Sequence, residues 1–126
     1  MSDLTQRTAV ELKKIFENKE ASAQEITTEF LKKAQSLNSD LNAFISFNED
    51  ESLNYAKALD EKKSKNEDTG ILSAVPIGIK DLINQVNTET TAASKMLKGY
   101  KSAFNATITQ KVIDAGAIPL GKVNLD

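Results

Sequence analysis

The chain has 126 residues, 40% hydrophobic and 27% charged, with 16 basic against 18 acidic side chains and a net charge of −2. It contains neither Cys nor His, which excludes a disulfide framework, a thiolate nucleophile and a cysteine-ligated zinc site, and removes the commonest general base. Any acid–base chemistry must therefore use Lys, Asp, Glu or Tyr, and so balanced a charge gives no electrostatic reason to expect direct binding of nucleic acid or of an acidic membrane.

Residues 1–65 read as a helical section. Thr8-Ala9-Val10-Glu11 is a capping box, in which the hydroxyl and the carboxylate each satisfy an orphan amide of the first turn. Leu12, Ile15 and Phe16 follow at helical spacing and predict a helix over 8–18. Ser22-Ala23-Gln24-Glu25 repeats the device, and Ile26, Phe30, Ala34 and Leu37 predict one apolar face over 23–37. The aromatic and β-branched residues of "NAFISF" (42–47) change the period to that of a short strand or an apolar turn. Asn48 and the acidic run Glu49-Asp50-Glu51 start a third helix, with Leu53, Ala56 and Leu59 inward. The mixed charges of "DEKKSKNEDTG" (60–70) mark the exposed end of that helix and a solvated loop.

From residue 71 the character shifts to a sheet core. "AVPIGIKDLI" is a buried-strand candidate, "TTAASKMLKG" (90–99) a short helix ending at Gly99, and "NATITQKVIDAG" (105–116) a helix capped by Asn105 and stopped by Gly116, with Ile108, Val112 and Ala115 on one face. "AIPLGK" (117–122) is a second strand. Strand, helix, strand in that order predicts a parallel pair, although Pro119, lacking an amide hydrogen, suits an edge strand better than a central one. The fold class expected is α/β, with N-terminal helices followed by the start of a mixed, mainly parallel sheet flanked by helices. No apolar run approaches the ~20 residues of a membrane span and the N-terminus has no signal-peptide layout, so the chain is expected to be cytoplasmic. The sequon at Asn105-Ala106-Thr107 is read as incidental.

One lysine stands out. In "SAVPIGIKDLI" (73–83), strand alternation puts Ile77 and Ile79 on one face and Gly78 and Lys80 on the other, with Asp81 pointing away from Lys80. Among apolar residues an ammonium loses hydration and its pKa falls, and a neutral lysine can accept a proton as a general base. Gly78, two residues earlier on the same face, leaves room for another backbone or a substrate. The alternative is a strand-end lysine whose stem packs while its head reaches water.

"VPIGIKDLI" resembles the catalytic-lysine segment of the amidase signature family. The similarity continues through "TETTAASKML" and "NATITQKVIDAGAIPLGKVNLD" in the family's order. The helical start, "ELKKIFENKEASAQEITTEFLKKAQSLNSDLNAFISF", is similar to the branch formed by the A subunits of tRNA-dependent amidotransferases, which act on Glu-tRNA(Gln) and Asp-tRNA(Asn). The resemblance runs over essentially the whole chain but only the N-terminal part of such a protein, so residues 1–126 are expected to be a fragment of an amidase domain, with a helical section at 1–65 and the start of the sheet core at 71–126.

The resemblance implies a Ser–cis-Ser–Lys triad whose lysine maps onto Lys80. There it acts as base toward a bridging serine, which activates a nucleophilic serine to form an acyl-enzyme. Both serines belong to a Gly/Ser-rich segment after residue 126. Ser94 and Ser102 do not match them, and Thr90, Thr91, Ser94 and Lys95 read better as capping and solvated residues. Leu82 stands where the family often has Asn, and Asn87 where Gly is common. The branch implies glutamine as substrate, amidotransferase B and C subunits as partners, no cofactor in this chain, and ATP with magnesium on the B partner. Another amide hydrolase of the family, or a non-catalytic remnant or subunit-binding module, are the alternatives. Alone, the chain is expected to lack activity, and either to self-associate through uncovered strand edges or to be only loosely folded, with its helices more ordered than its C-terminal strand.

Overall fold

Both capping boxes form. The structure, a computed structural model, describes residues 3–81, 83, 85 and 105–123. After a single 3-10 turn at Leu4–Gln6, helix α1 (Ala9–Glu17) opens with Thr8 accepting from the amide of Glu11 while the Glu11 carboxylate accepts from the amide of Thr8. Helix α2 (Ala23–Leu41) opens the same way on Ser22 and Glu25. Its other first-turn amides are also satisfied, from a distant element: Asp60 accepts from the amides of Ala23 at 2.7 Å and Gln24 at 3.1 Å. The whole first turn is therefore capped. The helix outruns its predicted end, and the stripe it buries is Ala23, Ile26, Thr27 and Leu31 rather than one reaching Leu37. Its last turns extend past the elements that cover its first half, which leaves Leu37 and Leu41 exposed.

Asn42 stops α2 in the left-handed conformation (φ 50°), which Asn tolerates better than most residues. Asn38 then holds the returning chain with both ends of its amide, donating to Phe44 O at 3.0 Å and accepting from Phe44 N at 2.8 Å. "NAFISF" thereby becomes strand β1 (Phe44–Phe47), with Phe44 and Phe47 stacked 4.7 Å apart. Helix α3 (Glu49–Ser64) buries Ser52, Ala56 and Leu59. Leu4, Leu12, Phe16, Ile26, Ala56 and Leu59, with Ile118 from the sheet, make the principal apolar core.

Strand β2 (Pro76–Lys80), helix α4 (Thr107–Asp114) and strand β3 (Ile118–Val123) complete the described chain. The sheet is mixed, in the order β1-β3-β2, with β2 parallel and β1 antiparallel to β3. β3 is therefore central, contrary to the edge position that Pro119 suggested. The reason is local. The ladder with β1 runs only from Gly121 to Val123. Pro119 lies beyond it, and there its carbonyl accepts from the Ser52 hydroxyl of α3 at 2.5 Å. On the other side, the register with β2 shifts between Ile77 and Gly78. The proline thus occupies a stretch where β1 requires no ladder bond from it.

Two glycines permit close approaches. A Cβ at Gly121 would run into the Ser46 carbonyl of β1, and Gly116 has φ +98° where the turn after α4 presses on Thr69 and Ser73. Helix α4 is shorter than predicted. Its N-cap is Ala106, with no side-chain cap, because the Asn105 amide instead donates to Gln110 Oε1 at 2.8 Å. Its buried residue is Thr109, while Ile108 is 59% exposed. No helix among the described residues is long and apolar enough to cross a membrane.

Candidate functional site

Lys80 is the last residue of β2 and lies beside Val123 at the end of β3. The two strands are parallel, so both carry their C-terminal ends to this edge, the usual location of ligand sites in open parallel sheets. The expected alternation holds: Ile79 is buried, and Gly78 and Lys80 are exposed on the opposite face. Exposure of Lys80 corrects the expectation that its own apolar neighbours desolvate it, since Ile77 and Ile79 turn to the other face of the strand. The space over Gly78 is also partly used. A Cβ there would come within 2.7 Å of Val123 Cγ1 and 3.6 Å of the Phe44 ring, so the glycine lets these two side chains close over the strand. An apolar groove of about 260 Å³, lined by Ile77, Ile79, Ile83, Ile108 and Val112, borders the lysine.

The buried ionisable groups are others. Lys122, paired across the strands with Ile79, is 0% exposed, and Asp81 is 1% exposed. Lys122 Nζ donates to Ile83 O at 2.5 Å. Burial pushes the Lys122 ammonium below its ordinary pKa of 10.5, while the negative charge of Asp81 pulls it back up. The backbone closes the same knot: Asp81 N donates to Val123 O at 3.1 Å and Ile83 N to Lys80 O at 2.9 Å. The signal that singled out Lys80, one cation in an apolar strand, applies equally to "AIPLGK", and the burial falls on Lys122. Nearby, Gln85 is buried and hydrogen-bonds Tyr55, whose hydroxyl is shifted upward by burial and by Glu51.

Thr90, Thr91, Ser94, Lys95 and Ser102, the predicted helix at 90–99, and the Leu82 and Asn87 departures lie outside the described residues. Among the described residues no cluster of acidic side chains could hold a metal ion.

The chain is similar over 124 residues, at 46% identity, to the A subunit of the glutamyl-tRNA(Gln) amidotransferase of Clostridium botulinum (strain Eklund 17B / Type B), covering 98% of this chain and 26% of that protein. Among solved structures it superposes on the peptide amidase of Stenotrophomonas maltophilia with a TM-score of 0.87 at 29% identity, covering 93% of this chain and 24% of that one. It matches an amidase family protein from Bacillus anthracis str. Ames with a TM-score of 0.85 at 27% identity, over 97% and 25% of the two chains. The chain thus spans about a quarter of the length of the relatives it matches. The family profile described as Amidase matches residues 25–126; with the sheet and helices of amidase signature enzymes around Lys80, the chain belongs to the amidase signature family.

Proposed function

We propose that this chain is the N-terminal part of the A subunit of a tRNA-dependent amidotransferase, and that Lys80 is the base of its Ser–cis-Ser–Lys triad. The observation that carries this reading is an exposed lysine at the C-terminal end of a parallel strand, in a chain 46% identical over 98% of its length to such an amidotransferase. In the intact enzyme the rest of the amidase domain brings two serines to that face and desolvates the amine. Neutral Lys80 takes the proton of the bridging serine, which takes that of the nucleophile. The nucleophilic oxygen adds to the side-chain amide carbon of glutamine. The C–N bond breaks, the nitrogen leaves as ammonia with the returned proton, and water hydrolyses the ester to glutamate. The B subunit, with ATP and magnesium, uses the ammonia to amidate Glu-tRNA(Gln) or Asp-tRNA(Asn), and the C subunit holds the two together. This work takes place in the cytoplasm. The superposition on a peptide amidase supports a second reading, hydrolysis of simple amides without partners.

The test is substitution of Lys80 in the intact enzyme. Lys80→Ala is expected to lower ammonia release from glutamine by about 10²–10⁴-fold. Lys80→Arg is expected to be equally poor, because a guanidinium stays protonated at any working pH. Wild-type turnover in the arginine variant would refute the base role. Release from simple amides in the absence of B and C subunits, with none from glutamine, would favour the second reading.

A further inference from the structure

The strand that presents Lys80 ends in a knot on the opposite face of the sheet. Immediately after Lys80 the chain turns, and Asp81 goes down into the protein, 1% exposed. Three bonds hold the turn. Asp81 N donates to Val123 O, Ile83 N donates to Lys80 O, and Lys122 Nζ donates to Ile83 O at 2.5 Å. Lys122 comes from β3, the neighbouring parallel strand, and is wholly buried. Burying an ammonium is expensive unless it is paired and hydrogen-bonded; here the Asp81 charge and the Ile83 carbonyl supply that compensation. A methionine would fill a similar volume without this cost. Successive Cα–Cβ bonds of an extended chain leave on opposite sides, and the amide of Asp81 is tied to Val123 O just beyond the strand end. Fixing the backbone at Asp81 and Ile83 therefore fixes the direction in which the Lys80 side chain leaves the strand.

We propose that Lys122 and Asp81 are positioning residues for Lys80: both are buried on one face of the sheet, Lys122 bonded through Nζ to the Ile83 carbonyl and Asp81 through its amide to Val123 O, and together they lock the turn after β2 and so set the direction and height of the amine on the other face. This deepens the proposed function and rests on Lys80 acting as the base there. A base that hands a proton through a serine relay needs hydrogen-bond geometry, and a displacement of about 1 Å can cost on the order of 100-fold in rate. Lys122 touches neither the substrate nor the serines in this scheme.

The experiment uses the intact amidotransferase and three variants: Lys80→Ala, Lys122→Met, and the double variant Lys122→Met/Asp81→Asn. The single methionine variant leaves a buried carboxylate without its cation and is the one at risk of misfolding; the double variant leaves no buried charge and carries the test if the single variant fails. Expected in the double variant are a fall in kcat for glutamine of about 100-fold with KM within about threefold, and exchange of the Asp81 and Ile83 amides faster by about tenfold, with α2 unchanged. Full kcat in the double variant while Lys80→Ala is inactive would overturn the positioning role and leave the base role intact. Lost kcat with unchanged exchange at Asp81 and Ile83 would overturn it as well. Wild-type turnover in Lys80→Ala would overturn the proposed function instead, and the exchange measurement would still report whether the pair locks the turn.

Discussion

Asp60 sits near the end of α3 and caps a helix that begins 37 residues earlier in the chain. Replacing it by alanine removes two backbone N–H acceptors and the negative charge at the positive end of α2. The two amides do not suffer equally. Gln24 is exposed, so water takes over its bond, and its side-chain amide, which also donates to Asp60 at 3.1 Å, is released to solvent. Ala23 is fully buried, so its N–H loses a charged acceptor with no replacement at hand. A hydrogen bond to a charged group is worth about 1.5–3 kcal/mol, and an unsatisfied buried donor costs about 1–3 kcal/mol. Allowing for the half-exposed carboxylate, Asp60→Ala should destabilise the start of α2 by about 1–2 kcal/mol, a 5- to 30-fold faster amide exchange there. Asp60→Asn keeps one acceptor and should recover about half. Exchange mass spectrometry on the peptide covering 22–31 measures this, with α1 as the internal control. Equal exchange in wild type and the alanine variant would show that the Ser22–Glu25 box alone holds the first turn.

In the proposed reading both triad serines belong to a segment after residue 126, so the 126-residue chain by itself is expected to release no ammonia from glutamine or simple amides; turnover lost on Lys80→Ala would contradict this. Because the folded pKa of Lys122 lies below 10.5, the unfolded chain binds more protons between those two values, and stability should rise with pH through that window. Urea titrations below about pH 10, the ordinary tyrosine range in which Tyr55 adds an opposite slope, should show that rise, and Lys122→Met/Asp81→Asn should flatten it. Gly121→Ala should push β1 off β3, because its Cβ meets the backbone carbonyl of Ser46, at a cost of about 1–3 kcal/mol readable in the melting temperature.

What could be read from the sequence was what is encoded within a few residues. Thr8 with Glu11 and Ser22 with Glu25 each carry both halves of their cap inside one turn. The alternation around Lys80 is equally local, and its faces came out as read. The parallel pairing of β2 and β3 followed from element order alone. The errors lie where a distant element intervenes. Asp60 caps α2 from across the fold, and nothing in "KALDEKK" announces a partner. Pro119 tolerates a central strand because β1 stops short and Ser52 takes its carbonyl. Lys122 reaches the Ile83 carbonyl beyond β2 only once β3 lies beside it. Each is a property of which strands become neighbours, and the periodicity of one segment does not contain it.

The strand order has a consequence for how this chain is made. Among the described residues β1 and β2 form no ladder with each other; each pairs with β3, which is the last of the three to leave the ribosome. Helices α1 to α3 share one apolar core and can assemble early, but among the described strands none has a described partner until residues 118–123 emerge. Until then β1 and β2 wait with open edges, and closing the sheet requires a contact between the first strand and the last, the kind of long loop that slows folding. Nascent chains should therefore be most vulnerable to aggregation and most dependent on chaperones in the interval after β2 is synthesised and before β3 is free.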